Sequence, residues 1–550
     1  MTRYAAYTST RKTPQRRKAS PKQVKNSAGG YSFAIDKWGR LDRFLILGAE
    51  GGTYYVNERK LVEQNYTSLV ECLNEDGART VKKIVEISEA GRAPKNDPAI
   101  FALAVASGHS NPAVRAAALE AIPQVCRIGT HLFDFLTSSQ EFRGWGRGLR
   151  KAVATWYITK DAHNLGYQVA KYRQRNGWSH RDVLRKCGGE IAPENDVQQV
   201  IFRWVVAGMD GMGERTIKRG DKVDTYPALD PEKLPRIIQG YEACKAATSA
   251  REAAKIVREY KLTHEMVPSD YLKSKEVWDA LLEKMPLGAL VRNLGRLSAL
   301  GNLEAFSDGQ KKAVAMLTDP TAIKKARLHP LSVLKAMKQY NAGHGGKGSL
   351  EWKVHGKISS ALEDAFYLAF DAVEPTGKNI VAALDVSYSM TCGVAGLPNI
   401  SCAEASAAMA MVTVRTEPNH EIQAFSTSLV PLKVTAKDRL DTAVRKARAI
   451  TMGGTDCSLP MVWATRGQIP VDAFYVYTDS ETWAGGIHPH QALQEYRQKM
   501  GRDAKLVVAG MASNGFAIAD PGDAGMLDIV GFDTAAPAVM ADFTRQGFGS

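Results

Sequence analysis

Two hydrophobic periodicities divide this 550-residue chain. From about residue 60 to 370, apolar side chains recur every three and four positions, the spacing of one face of an α-helix. The pattern predicts helices over 61–73, 80–90 and 98–107. Asn111-Pro112-Ala113-Val114-Arg115 opens another, with proline in the first turn, where its missing N–H costs nothing. Further helices are predicted over 130–137, 145–159, 161–175, 197–206, 235–246, 249–259, 275–283, 287–300, 310–317, 320–325, 330–340 and 357–370. Helix pairs repeating every ~40–47 residues mark HEAT-like solenoids, and this run predicts such an array. Residues 341–348 (NAGHGGKG) are predicted to be a linker or loop. After 375 the period changes. Apolar runs of strand length at 379–386, 421–425, 430–434, 473–478, 505–509 and 527–531 alternate with helical stretches at 402–415, 438–449, 489–500 and 536–546. Such alternation predicts a mostly parallel sheet covered on both faces.

The ends of these strands carry oxygen donors. The run Ile380-Val381-Ala382-Ala383-Leu384 leads into Asp385-Val386-Ser387-Tyr388-Ser389. In an extended turn, Asp385, Ser387 and Ser389 converge on one point. Gly453-Gly454-Thr455-Asp456 offers a hydroxyl and a carboxylate, and the strand ending Val476-Tyr477-Thr478 is followed by Asp479. Ligand sites of open α/β sheets lie at the carboxyl ends of strands, and a hard cation takes a few such oxygens while keeping several waters. Ser and Asp also cap helices, but three parts in this order, each at a strand end, match the metal-ion-dependent adhesion site of von Willebrand factor A domains. The expected ligands are Asp385, Ser387, Ser389, Thr455 and Asp479, and the expected ion is a divalent cation, Mg²⁺ first, with Ca²⁺ or Mn²⁺ as alternatives.

Charge assigns the rest of the chain a different partner. Of 72 basic and 58 acidic residues, positions 376–550 hold 14 and 17, leaving 58 and 41 upstream, a balance of +17. A basic helical region beside an acidic metal domain points to a polyanion, most simply nucleic acid. Residues 1–30 carry eight basic residues and no Asp or Glu, and read as a disordered basic arm. Seven scattered cysteines without CxxC pairs argue for a reducing compartment and against a disulfide frame. With no apolar run of membrane-spanning length and no signal peptide, a cytoplasmic location is expected. There is no P-loop and no second acidic cluster for two-metal hydrolysis, so nuclease and ATPase activities are disfavoured and the chain is read as a non-enzyme.

The densest basic and aromatic stretch is Lys171-Tyr172-Arg173-Gln174-Arg175-Asn176-Gly177-Trp178-Ser179-His180-Arg181, with Arg147, Arg150 and Lys151 upstream. On the helix predicted over 161–175, Lys171 and Arg175 share one face. Lys171, Arg173, Arg175, His180, Arg181, Arg147, Arg150 and Lys151 are the candidate RNA contacts, with no comparable acidic run nearby in sequence. Tyr172 and Trp178 are expected to serve the core.

These segments carry a family resemblance. Arg43-Phe44-Leu45-Ile46-Leu47-Gly48-Ala49-Glu50-Gly51-Gly52-Thr53-Tyr54-Tyr55, Gly144-Trp145-Gly146-Arg147 with Leu149-Arg150-Lys151-Ala152, the Lys171 stretch, Met285-Pro286-Leu287 with Arg292-Asn293-Leu294-Gly295, Leu328-His329-Pro330, and Thr478-Asp479-Ser480-Glu481-Thr482-Trp483 together resemble the Ro autoantigen family, from about 38 to 545. The resemblance implies an α-helical HEAT-like repeat ring (a solenoid, the TROVE module) over 31–372, closed by a C-terminal α/β, Rossmann-like von Willebrand factor A domain over 373–550. It implies a non-catalytic RNA binder. Small noncoding Y-like RNA would bind the basic outer surface, single-stranded 3′ ends of misfolded or decaying RNA would thread the central hole, and a 3′-to-5′ exoribonuclease would be a partner in bacterial members. Lys171 and Arg175 fall where the family contacts Y RNA. The chain departs where Cys187-Gly188 stands in a region that often carries a histidine. The rival reading is a metal-dependent adhesion module whose A domain takes an acidic residue of a protein partner.

Overall fold

A computed structural model describes residues 12–50, 52–219, 222–346, 348–370, 373–394, 397–450 and 453–545. Its C-terminal third holds a six-stranded sheet built on β3 (Ile380–Asp385), β4 (His420–Phe425), β5 (Leu429–Pro431), β6 (Ala473–Thr478), β7 (Lys505–Gly510) and β9 (Met526–Val530), in the spatial order β5-β4-β3-β6-β7-β9. All neighbours are parallel except the edge strand β5. Every residue of β3, β6 and β7 is buried, as expected of strands with helices on both faces. Cys402–Thr416 follows β3 as a helix opened by a Ser401/Glu404 capping box. The chain leaves β3 toward β4 on one side, while β6 lies on the other. The crevice between the carboxyl ends of β3 and β6 is therefore a topological switch point.

The helical region begins at Lys37–Leu47 and ends at Gly356–Leu368. The two helices predicted over 61–73 and 80–90 are halves of one bent element, Glu58–Ala90. It breaks at Asp76 (φ −149°, ψ 85°), whose carboxylate accepts from Arg79 N at 2.9 Å and so restarts the helix. The array closes on itself. Arg327 Nη1 donates to Glu89 O (2.9 Å), and the His329 ring lies 3.2 Å from Arg92 O. Both ends also dock on the sheet domain. Arg43, 1% exposed, reaches Asp528 (2.6 Å) and Asn514 (3.0 Å). Lys338 pairs with Glu404 (2.8 Å), and Glu363 pairs with Arg415 (3.2 Å) and accepts from Leu440 N (2.9 Å).

Three sequence expectations change. The helix expected over 161–175 spans only Ala162–Lys171. The chain then folds into a hairpin, Gln174–Arg175 against Trp178–Ser179, around Asn176 (φ 50°) and Gly177 (φ 78°). Asn-Gly is the preferred pair for a two-residue turn with both centres left-handed. Lys171 and Arg175 therefore do not share a helix face. Of the stretch expected as a linker or loop over 341–348, Asn341 and Ala342 instead end the helix Pro330–Ala342, and the turn after it is pinned, with Gly345 N donating to Leu350 O (2.8 Å) and Trp352 N to Gly343 O (2.8 Å). The basic arm expected over 1–30 is not free along its described part. β1 (Gln23–Lys25) and β2 (Tyr31–Ala34) form an antiparallel sheet with β8 (Phe516–Ala517) of the C-terminal domain. Lys12 pairs with Glu495 (3.3 Å), and Arg16 lies 4.8 Å over the Trp483 ring. The segment is docked, while its described basic side chains stay exposed. Arg3 and Arg11 lie outside the described residues. Residues 371 and 372, where the domain boundary was expected, do so too.

Candidate metal centre and nucleic-acid interface

The five expected ligands come together at the β3/β6 crevice, and all are buried: Asp385, Ser387, Ser389, Thr455 and Asp479 are each at most 2% exposed. Asp385 ends β3. Its Oδ1 accepts from Ser387 N (2.9 Å) and its Oδ2 from Thr478 Oγ1 (2.6 Å), which orients the carboxylate. The hydroxyls of Ser387 and Ser389 lie 3.1 Å apart, and Ser389 also hydrogen-bonds the Asp479 carboxylate. Glu481 N donates to Asp479 Oδ1 at 3.0 Å. The Thr455 loop is held by Asp456 N donating to Ser426 O (3.0 Å), and by Trp483 N (3.0 Å) and Ala484 N (2.9 Å) donating to Thr455 O. Asp456, in contrast, spends its carboxylate on Ser458 (2.6 Å) and Gln15 (2.8 Å).

Burial pushes Asp385 up to about 7, and the nearby Asp479 carboxylate adds to the rise. Asp479 is also raised, by its own burial. None of the leading influences on either group is a cation. The Thr455 hydroxyl is buried with no hydrogen-bond partner among the described residues. An orphaned hydroxyl beside two dry carboxylates fits a divalent cation, which would neutralise the pair and take up the free donor. Among the described residues no group of three His, Cys, Asp or Glu side chains is suited to a metal. The donor set of two carboxylates and three hydroxyls suits Mg²⁺, Mn²⁺ or Ca²⁺ rather than zinc.

Sequence reasoning missed two neighbours. Tyr55, on the loop after the first helix of the array, lies near Ser389, Trp483 and Asp479, and its hydroxyl is pushed up to about 12, first by burial and then by Asp479. Gln15 bonds Asp456 and Thr482. Tyr55 belongs to a quoted motif, but nothing in the sequence places either side chain at this crevice.

The candidate RNA contacts divide by environment. Lys151 and Arg181 are exposed, and no ion pair among the described residues engages them. Arg147 is exposed and pairs with Glu190 (3.2 Å), and Arg150 is half-buried. Lys171 has a side chain 9% exposed, donates to Tyr167 Oη (2.8 Å) and lies 3.8 Å from Glu265. Arg173 hydrogen-bonds Tyr241, and Arg175 pairs with Asp134 at 2.8 Å. Acidic neighbours therefore exist, brought in from other helices. His180 is a correction. It is 2% exposed, packs against Phe133 (ring centroids 4.7 Å apart) and bonds Tyr157 Oη at 2.7 Å. Burial holds it down at about 3, a neutral core imidazole that no RNA reaches. Trp178 is buried at 8% exposure, as expected, and Lys186 lies 5.7 Å over its ring. Cys187 is wholly buried, and Gly188 caps its helix at φ 53°.

A central strand ending in Asp-x-Ser-x-Ser, completed by a threonine and an aspartate from two further loops, defines a von Willebrand factor A domain, here docked on both ends of a closed helical array. Family models agree in both halves: the TROVE domain matches residues 24–341, and the Ro60 vWA domain matches 379–544. The chain belongs to the Ro family. It is 40% identical to the RNA-binding protein RO60 of Deinococcus radiodurans over 535 residues, covering 97% of each chain. It is 33% identical to the RNA-binding protein RO60 of Caenorhabditis elegans, covering 96% of this chain and 91% of that one. The crystal structure of the Deinococcus radiodurans RO (RSR) protein superposes with a TM-score of 0.68 over 93% of this chain and 99% of that chain.

Proposed function

We propose that this protein binds RNA and is not an enzyme. Small noncoding Y-like RNA binds the basic face around Lys151 and Arg181, with Arg147, Arg150, Lys171, Arg173 and Arg175 as flanking contacts. Single-stranded 3′ ends of misfolded or decaying RNA enter the ring, and the protein acts in noncoding RNA quality control in the cytoplasm, with a 3′-to-5′ exoribonuclease as a partner. The observation that carries this reading is that Lys151 and Arg181 are exposed and, among the described residues, engaged by no ion pair, in a chain whose first 375 residues carry a +17 balance and whose relatives are named for RNA binding. Phosphates attract such a face and release counterions on binding. Among the described residues no helix is long and apolar enough to cross a membrane.

The metal centre has a supporting part. A divalent cation held by Asp385, Ser387, Ser389, Thr455 and Asp479 supplies positive charge that ties three loops together. The adhesion alternative needs an open coordination position for a partner's carboxylate. Here Tyr55 of the same chain lies against Ser389, which weighs against that use. Crosslinking in cells followed by sequencing of the attached RNA tests the proposal. Recovery of small structured RNAs and of RNAs with extended 3′ tails supports it, and recovery of no RNA above background contradicts it.

A further inference from the structure

The segment before the helical array lies across the loops that carry the metal donors, and one of its side chains is wholly enclosed. Gln15 is 0% exposed. Its Oε1 accepts from Thr482 Oγ1 (2.6 Å) and Gly485 N (3.1 Å). Its Nε2 donates to Asp456 Oδ1 (2.8 Å) and Ile487 O (2.9 Å). A primary amide has two donors and two acceptor sites, and here all four are used. Its backbone joins in, with Gln15 N donating to Gly485 O (2.9 Å) and Tyr31 N donating to Gln15 O (2.9 Å).

These partners belong to two ligand-bearing loops. Asp456 directly follows Thr455. Thr482 lies three residues after Asp479, and its hydroxyl also reaches Thr455 O (3.3 Å) and accepts from Cys457 N (3.2 Å). Gln15 is thus a bracket across the gap between the Thr455 loop and the Asp479 loop. The rest of the segment presses it into place. Asn26 Nδ2 donates to Thr482 O (2.8 Å), and Ala28 N donates to Glu481 Oε2 (3.0 Å). The approach at Gly30 is so close that a Cβ there would meet Thr482 O at 2.0 Å. An apolar side chain would fill the same space. A fully bonded amide in a dry site instead fixes direction, because each of its four bonds is expensive to leave unmade.

We propose that Gln15 is a positioning residue of the metal centre. It holds Thr455 and Asp479 at the separation a small divalent cation requires, in part through Thr482, 467 residues away in sequence. The proposal rests on the metal reading above. Mg²⁺ and Mn²⁺ demand narrow ligand geometry, so a few tenths of an ångström of drift between the two loops is felt in affinity.

The test is Mn²⁺ titration of the full chain followed by electron paramagnetic resonance, on the wild type and on Asp385→Ala, Gln15→Ala and Gln23→Ala. Gln23, in the same segment, bonds His488 (3.1 Å) at the start of the helix Pro489–Met500 and neither Asp456 nor Thr482, and controls for general loosening. The wild type is expected to take up Mn²⁺ and Asp385→Ala to take up none. Gln15→Ala is expected to lose about 10–100-fold in affinity, the usual effect of removing an outer-shell partner, while Gln23→Ala is unchanged. Should Gln15→Ala fail to fold, Thr482→Val and Thr482→Ser decide: the valine variant loses affinity, and the serine variant, which keeps the hydroxyl, retains it. Wild-type affinity in Gln15→Ala or Thr482→Val, or an equal loss in Gln23→Ala, overturns the proposal. A wild type that takes up no Mn²⁺ defeats the metal reading itself, and this proposal with it.

Discussion

At the scale of single residues, the crevice between β3 and β6 is a set of oxygen donors held before any ion arrives. Asp385 is oriented by Ser387 N and Thr478 Oγ1, and Asp479 by Glu481 N. Two buried carboxylates are costly together, and a divalent cation offsets that cost. Asp385→Ala is expected to abolish Mn²⁺ binding while leaving the affinity for small RNA unchanged, measured by calorimetry and by RNA titration of the same sample. Parallel loss of both would mean that the two sites are one. His180 leads to the opposite kind of prediction. Removing a buried ring and its bond to Tyr157 costs stability of about 2–3 kcal/mol. Folded His180→Ala should nevertheless bind RNA as the wild type does, whereas Arg181→Ala binds more weakly at full stability. Denaturant unfolding and RNA titration separate the two outcomes.

At the scale of elements, the gathering of the oxygen donors was largely legible and the surroundings of the basic stretch only in outline. Buried parallel strands appear in sequence as unbroken apolar runs, so the ends of Ile380–Asp385 and Ala473–Thr478, and the donors just beyond them, could be placed. The basic stretch was harder. Asn176-Gly177 is a strong hairpin signal, but strands of two residues leave no period to read, and the preceding helical spacing ran on through them. Asp134 and Glu265 reach Arg175 and Lys171 from helices far away in sequence, so the pairing of those charges had no local trace. The same holds for Gln15 and Tyr55, whose roles exist only once both ends of the array have docked. Lys151 and Arg181, which no acidic side chain among the described residues engages, should carry more of the phosphate contact than the pair at 171 and 175. Lys151→Ala with Arg181→Ala is expected to lower the slope of log affinity against log salt by about 1.5–2, from the loss of two phosphate contacts. An unchanged slope would move the interface elsewhere on the array.

At the scale of the whole molecule, closure is the unifying feature. The array returns to its own start through Arg327 and His329, and both ends are clamped to the A domain by Arg43 and Lys338. The same burial makes the fold sensitive to acid. His131 and His329 are held down at about 4, and His180 and His490 at about 3, in each case by burial. The unfolded chain takes up protons at these positions near pH 6.5 and the folded chain does not, so protons favour unfolding throughout the interval between. The contribution of these rings to stability is therefore full above about pH 6.5 and is lost on acidification toward pH 4, whereas the buried carboxyls of Asp385 and Asp479, raised by burial, act in the opposite direction. Nuclear magnetic resonance of the histidine rings across that range should show these four neutral in the folded chain down to about pH 5, and protonation of any of them near pH 6.5 would contradict their buried, neutral state. The proposed entry of RNA ends into the ring would have its own signature, because a single strand is thinner and more flexible than a duplex end. The most direct test compares a structured RNA carrying a single-stranded 3′ tail with the same RNA ending blunt, each titrated at several salt concentrations. The tailed RNA is expected to bind at least about tenfold more tightly, with both affinities falling steeply as salt rises. Equal affinity for the two RNAs, or binding indifferent to salt, would contradict the account.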